Sequence, residues 1–527
     1  MSLDFLLRGG FIIDGTSDDV EPRPGDIGIE GDRIKTVGNL SKIKAENIID
    51  ISGLYVCPGF IDSHAHSEFT LLADGRAEGK ICQGITTEVN GNCGLSAAPL
   101  YGPAFEQRTA ELKELGIKER WNSLSEYFEL LDKKRFATNF LTLVGHGNLR
   151  ASVSGYENRQ LAASDKNRIF SLLKDSLGSG ATGLSTGLIY PPGVYSDTSE
   201  IIELARATKM QGGNIYTTHM RNEEGKLLEA VTEAIRISFE SGLHLHISHL
   251  KTHGEKNWEK IKEVFRLIDN AHKKGVRLTC DRYPYVASCT DLDVILPFWA
   301  YEGGHSEELR KIKNEQKRLA DEILKAHPEE SYWERVKISR VNLNKNKWME
   351  GKSLAEISKS LHKPPVKCLF EILIEEDLRA EAIFFLMSED NLKSILKRPY
   401  TMIGSDSSAR SFDGITAKGK PHPRGFGSFP RVLSRYVREQ EVIPLEKAVY
   451  KMTGLPAKTF GIKNRGIINK GFFADITVFD AGKIKDRATF DKPFVKPGGV
   501  YYVFINGKPV IREGVLTGEL PGRILKK

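Results

Sequence analysis

The sequence predicts an α/β protein: a (β/α)8 TIM barrel with an inserted helical segment, plus a small β-sandwich domain built from both chain termini. Three observations carry this. Strand and helix patterns alternate through the middle of the chain. Both ends carry short strand-like runs broken by turns. Histidines recur where apolar strands stop. At 527 residues the chain is long enough for one large domain and a smaller one.

Residues 1–57 read as the first part of the sandwich. "FLLRGGFIIDG", "GDIGIEGDRIKTVG" and "NIIDISGLYVCPG" alternate strand-like runs with Gly- and Asp-containing turns. Such a stretch is too small to close a core alone. Residues 461–527 return to the same texture in "GFFADITVFD" and "GVYYVFINGKPVIREGV", with an Asn-Gly hairpin signal at 506–507. Between them, 58–460 read as the barrel. "GGNIYTTH" (212–219) is a strand, followed by an amphipathic helix with Leu227, Val231, Ala234 and Ile235 on one stripe. "LHLHISH" (243–249), the helix "WEKIKEVFRLIDNAHKKG" and the strand "VRLTCDRYPY" repeat the unit, as do "AEAIFFLMS", "EDNLKSILK" and "YTMIGSD". Alternation at roughly 30-residue spacing signals βα units and a parallel sheet. One insertion, 301–335, is charged and mostly helical, and reads either as a solvated surface helix or as a lid over the site.

Composition narrows the class. A formal charge of +7 spread over this length is mild, and the basic residues come as short scattered groups rather than a stripe with interleaved aromatics. Nucleic acid is therefore not an expected partner. The six cysteines show no CxxC pair and no disulfide-framework spacing, so they are expected to be mostly reduced thiols. The N-terminus meets Asp4, Arg8 and Gly9 too early for a signal-peptide core. No run approaches the roughly 18 apolar residues of a membrane helix. The expectation is a cytoplasmic protein with a small-molecule partner and no membrane partner; its oligomeric state stays open.

In a (β/α)8 barrel, reactive groups sit at the carboxyl ends of strands. His64 and His66 follow the apolar run "YVCPGFID", and their i, i+2 spacing in an extended chain points both rings to one face. His219 closes "NIYTTH", His249 closes "LHLHISH", and Asp406 closes "YTMIGSD". Cys93 lies after another short apolar stretch, in "TTEVNGNCGLS". A lone HxH is more often a packing pair than a ligand pair, and the mid-strand pair His244 and His246 reads that way. Candidates from several different strands do not. Imidazole and thiolate suit Zn²⁺, and a carboxylate can bridge or act as a base.

"GFIDSHAHSE" resembles the first metal signature of the amidohydrolase superfamily. "NGNCGLSAAP", "GATGLSTGLIYPPGVYSDTSE", "YTTHMRNE", "HISHLK", "DRYPYVASCTDL" and the segment from "GSDSSARS" to "KPHPRGFGSFPRVLSRYVRE" together resemble its D-aminoacylase (N-acyl-D-amino-acid deacylase) branch, over nearly the whole chain. The resemblance implies that Cys93 replaces the carboxylated lysine that bridges two metals in many relatives. It implies one zinc held tightly by Cys93, His219 and His249, and a second site of His64, His66 and Asp406 that in this family can be weak or empty. Asp406 matches the general base and acid, and Lys251 and Tyr283, with Tyr190, match a clamp for the substrate α-carboxylate. His422 and Arg424 match the pattern without a chemical role. Ser407 departs from it: many relatives carry glycine directly after the aspartate.

The expected activity is zinc-dependent hydrolysis of N-acyl-D-amino acids to a carboxylate and a free D-amino acid, by metal-activated water with Asp406 moving the proton. A cyclic-amide hydrolase of the dihydroorotase or hydantoinase kind is the alternative, although those usually carry a bridging lysine. A non-catalytic scaffold of the same fold is a third reading, weakened because every candidate ligand is present.

Overall fold

A computed structural model describes residues 3–527. Eight strand positions form the barrel: β1 (Phe60–Asp62), β2 (Ile85–Asn90), β3 (Asn139–Thr142, continued by Val144–Gly145), β4 (Gly183–Gly187), β5 (Ile215–His219), β6 (His244–Ile247), β7 (Leu278–Arg282) and β8 (Thr401–Ile403). All neighbours within it pair in parallel, with registers such as Gly187↔His219 and Arg282↔Ile403. The ring closes between β8 and β1, where Ser63 N and Oγ both donate to the Ile403 carbonyl and Ala65 pairs with Ser407. The strands are buried nearly throughout, as a sheet covered on one face by helices and filled on the other requires. The helix Leu227–Ser241 turns Leu227, Val231 and Ala234 inward as its periodicity predicts, while Ile235 is only partly covered.

Both termini build one nine-stranded sheet. Tyr55–Pro58 pairs antiparallel with Ile476–Phe479, Cys57 opposite Thr477, which ties the two ends together. Leu7, Ile27, Val56, Ile476, Val478 and Phe504 form its core. The Asn-Gly turn is where the hairpin signal puts it: Ile505 faces Lys508, and Asn506 and Gly507 both have positive φ, 49° and 77°, as a two-residue hairpin loop demands.

The excursion between β7 and β8 is larger than the charged stretch alone suggests. Ser288–Asp291, Glu381–Phe384 and Val336–Arg340 make a separate three-stranded antiparallel sheet, so the run "AEAIFFLMS", expected as a barrel strand, lies outside the barrel: its backbone pairs with these two short strands instead. The charged segment folds as helices His305–Asn314 and Gln316–Ala326, which bury Ile312, Leu319 and Ile323 in a core shared with Leu292, Trp333 and Leu369. The apolar stripe under those charges, not the charges, decides where the helices go. Among the described residues, no helix is long and apolar enough to cross a membrane.

Within this body Glu308 is 6% exposed, and one of its carboxylate oxygens finds no hydrogen-bond partner among the described residues. Burial, with Asp291 nearby, pushes its pKa up to about 7 against the pull of Lys311. A folded-state pKa above the unfolded value makes stability fall as pH rises between the two. Glu308→Gln is therefore expected to become more stable relative to the parent from pH about 4.5 to about 7, by on the order of 1–3 kcal/mol, in urea unfolding at each pH.

Candidate metal centre

The barrel delivers its reactive groups just beyond the strands. His219 is the last residue of β5. His64 and His66 follow β1, and Cys93 follows β2. His249 and Asp406 do not close their strands: β6 stops at Ile247 and β8 at Ile403. Instead Cys93, His249 and Asp406 each take left-handed backbone, with φ of 53°, 38° and 50°. Such conformations disfavour L-residues and turn the chain abruptly, and they cluster where function needs an unusual direction. Close strand approach assists. A Cβ on Gly187 would lie 2.1 Å from the Cys93 carbonyl oxygen, and one on Gly404 would lie 2.6 Å from the His64 Cβ.

The side chains converge. Cys93 Sγ lies 3.3 Å from His64 Nε2 and 3.5 Å from His249 Nε2. His64 Nε2 is also 3.3 Å from His66 Nε2, and Asp406 Oδ1 stands 3.4 Å from the former and 3.3 Å from the latter. His219 packs edge-on to His249, ring centres 4.4 Å apart, and its Nε2 is 3.6 Å from Glu223 Oε2. Three overlapping donor groups result: His64, Cys93 and His249; His64, His66 and Asp406; His219, Glu223 and His249. Neither ring nitrogen of His219 has a hydrogen-bond partner among the described residues, although both are buried. A buried lone pair beside a thiol, imidazoles and carboxylates fits a metal ion, and this mixture of sulfur, nitrogen and oxygen donors suits zinc.

Outer contacts orient these rings. Asp281, at the end of β7, accepts from His64 Nδ1 at 3.1 Å, from His246 Nε2 at 2.8 Å and from the His249 backbone N–H at 3.0 Å. An Nδ1–H given to Asp281 leaves the His64 Nε2 lone pair facing Cys93. His249 Nδ1 instead faces both the Lys251 ammonium, at 2.8 Å, and Glu223 Oε1, at 3.2 Å. Burial alone pushes the Cys93 thiol up, but His64, His249 and His219 bring it well below the ordinary thiol value. Burial likewise opposes ionisation of Asp406, yet Arg424, His64 and His66 hold it well below the carboxylate range. His66 answers in kind: against burial, Asp406 and Cys93 raise it to about 9.

The expected carboxylate clamp is only partly gathered. Lys251 is buried and already engaged, its Nζ 2.6 Å from Glu223 Oε1 and 2.8 Å from His249 Nδ1. Tyr283 is fully buried, and among the described residues its hydroxyl has no hydrogen-bond partner. Tyr190 lies edge-on to His219 at 4.9 Å. Arg424, without a role in the sequence pattern, sits with Nη1 2.9 Å from Asp406 Oδ2 and its guanidinium 4.6 Å from the Tyr283 ring centre. His422 donates its Nε2–H to the Ala287 carbonyl at 2.9 Å and accepts the Arg424 N–H at Nδ1, 3.0 Å away. Glu223 and Asp281 escaped sequence reasoning. The i, i+4 pair His219 and Glu223 was a usable signal, whereas nothing local marks Asp281.

A barrel with imidazoles, a thiol and a carboxylate at the carboxyl ends of its strands defines a metal-dependent hydrolase, and the chain belongs to the amidohydrolase family, whose pattern matches residues 47–511. Within it the chain stands with the D-aminoacylases. It is 37% identical to a D-aminoacylase of Alcaligenes xylosoxydans xylosoxydans, covering 99% of this chain and 98% of that protein. It is 35% identical to the N-acyl-D-glutamate deacylase of the same organism, covering 100% and 97%. The crystal structure of the N-acyl-D-glutamate deacylase of Bordetella bronchiseptica, complexed with zinc and a phosphonate mimic of the tetrahedral intermediate, superposes with a TM-score of 0.84 at 33% identity over the whole of both chains.

If Asp281 sets the ring orientations, Asp281→Asn weakens zinc binding by about 10–100-fold in chelator competition, with the fold retained by circular dichroism.

Proposed function

We propose that the chain is a zinc-dependent deacylase that hydrolyses the amide bond of N-acyl-D-amino acids, releasing a carboxylate and a free D-amino acid. One observation carries the reading. Cys93 lies between His64 and His249 at the mouth of the barrel, with Asp406 reaching the same His64 Nε2 at 3.4 Å, in a chain similar along its whole length to D-aminoacylases. Cys93, His219 and His249 are the proposed tight zinc ligands, and His64, His66 and Asp406 the weaker second set. Bound there, zinc supplies polarisation of the amide carbonyl and a pKa of about 7 for water at the site.

The remaining work falls to the chain. Asp406, kept ionised beside Arg424, takes a proton from the attacking water as its oxygen bonds to the carbonyl carbon. It returns that proton to the amide nitrogen, so that the C–N bond breaks with a neutral amine leaving. The buried hydroxyl of Tyr283 and the guanidinium of Arg424 stacked on its ring offer donors to an α-carboxylate. Lys251 and Tyr190 complete the proposed clamp, with Lys251 having to turn from Glu223 to reach it. Holding the carboxylate and the acyl carbonyl at fixed points selects the configuration at Cα. Cyclic-amide hydrolases usually carry a bridging lysine, whereas here the Cys93 thiol between His64 and His249 offers the bridge, which disfavours that alternative. Six free thiols support a cytoplasmic setting.

Assays of paired N-acetyl-D- and N-acetyl-L-amino acids, after chelation and zinc add-back, are expected to show metal-dependent cleavage confined to the D series. Cleavage of neither series with zinc bound would sink the reading. Asp406→Asn is expected to lower kcat by about 10²–10⁴-fold while the tight zinc remains.

A further inference from the structure

Behind the metal centre lies a second charged cluster that the chemistry above does not use. Lys80, in the short helix Glu78–Ile81, is fully buried, as are Asp62 and Glu88. Its Nζ lies 2.7 Å from Asp62 Oδ2 and 3.2 Å from Glu88 Oε2. It also donates to Ser405 Oγ at 2.8 Å and to the Ser407 carbonyl at 2.9 Å. Burial opposes its charge, but Asp62 and Glu88 outweigh that and raise its pKa above the ordinary lysine value.

Ser405 and Ser407 flank Asp406. Ser405 is further tied down by Asp62, which accepts from its N–H at 2.8 Å and its hydroxyl at 2.6 Å. The Ser407 carbonyl also accepts the His66 N–H at 3.3 Å, and Asp406 N–H donates to the His64 carbonyl at 2.8 Å. Asp406 is thus a one-residue span, in left-handed backbone, between two anchors on the same ammonium. Such a conformation at a non-glycine residue persists only where its surroundings over-determine it.

We propose that Lys80 is a positioning residue for Asp406: by holding Ser405 and Ser407 it fixes the backbone that aims the Asp406 carboxylate into the metal centre. The proposal rests on the reading of Asp406 as the proton-transfer group. An ion pair that merely closed the barrel between β1, β2 and β8 would change stability and leave turnover of the folded enzyme alone. A positioning role predicts loss of kcat at nearly constant KM, because misplacing a reacting group by about 1 Å can cost 10²-fold.

The test compares Lys80→Met/Glu88→Gln, in which the buried charge removed from lysine is partly balanced, with Ser405→Ala and with Glu88→Gln alone. For the double variant kcat is expected to fall by about 10- to 100-fold, with KM within about threefold and the tight zinc retained. Ser405→Ala, which removes one anchor without altering charge, is expected to show a smaller loss of the same kind. Glu88→Gln alone leaves both anchors in place and should keep kcat within about twofold. Crystal structures of the variants should show Asp406 displaced from Arg424 and out of its left-handed backbone. Parental kcat with Asp406 unmoved in Ser405→Ala and in the double variant would overturn the proposal; if the double variant does not fold, Ser405→Ala decides. Should the parent cleave no N-acyl-D-amino acid, the deacylase reading fails, and the crystallographic comparison still settles whether Lys80 places Asp406.

Discussion

Charge taken out of water must face opposite charge, and the centre of this molecule is organised around that requirement. The thiol of Cys93 and the carboxylates of Asp406, Glu223 and Asp281 are held among imidazoles, Lys251 and Arg424, so that each anion has a cationic or hydrogen-bonding neighbour. Compensation then passes outward. Asp281 serves His64 and His246 together with the backbone of His249, and Glu223 serves His249 and Lys251. A site built this way is coupled. Loss of one outer carboxylate leaves more than one ring without its orienting partner.

Backbone geometry carries the second half of the arrangement. A barrel strand points alternate side chains at the interior, but a metal centre needs donors that meet above it. Left-handed residues after β2, β6 and β8 bend the chain over the barrel mouth, and Gly187 and Gly404 let the neighbouring segments come close enough for those bends to meet. The strain is local. The regular parallel sheet beneath is what holds it in place.

Much of this was readable in the chain. The alternation of strands and helices marked the barrel, the Asn-Gly pair marked its hairpin, and histidines after apolar runs marked side chains that the fold gathers at one mouth, because each of these signals is local. What stayed hidden is long-range. Asp281 looks like any acidic residue in "LTCDRYPY" until the fold brings His64 and His246 to it. Lys251 looked free to meet substrate, whereas the structure pairs it with Glu223. The run "AEAIFFLMS" reads like a barrel strand, and only long-range pairing with Ser288–Asp291 and Val336–Arg340, short strands far apart in the chain, takes Glu381–Phe384 into a separate sheet.

The excursion between β7 and β8 also sets an order of events during synthesis. A ribosome releases His64, Cys93, His219 and His249 well before Asp406, because the whole inserted body is made in between. The strand Ile476–Phe479, which must pair with Tyr55–Pro58, comes later still. An emerging chain therefore holds its imidazoles and the Cys93 thiol before Asp406 can join them, and before the terminal sheet that ties its two ends together can form.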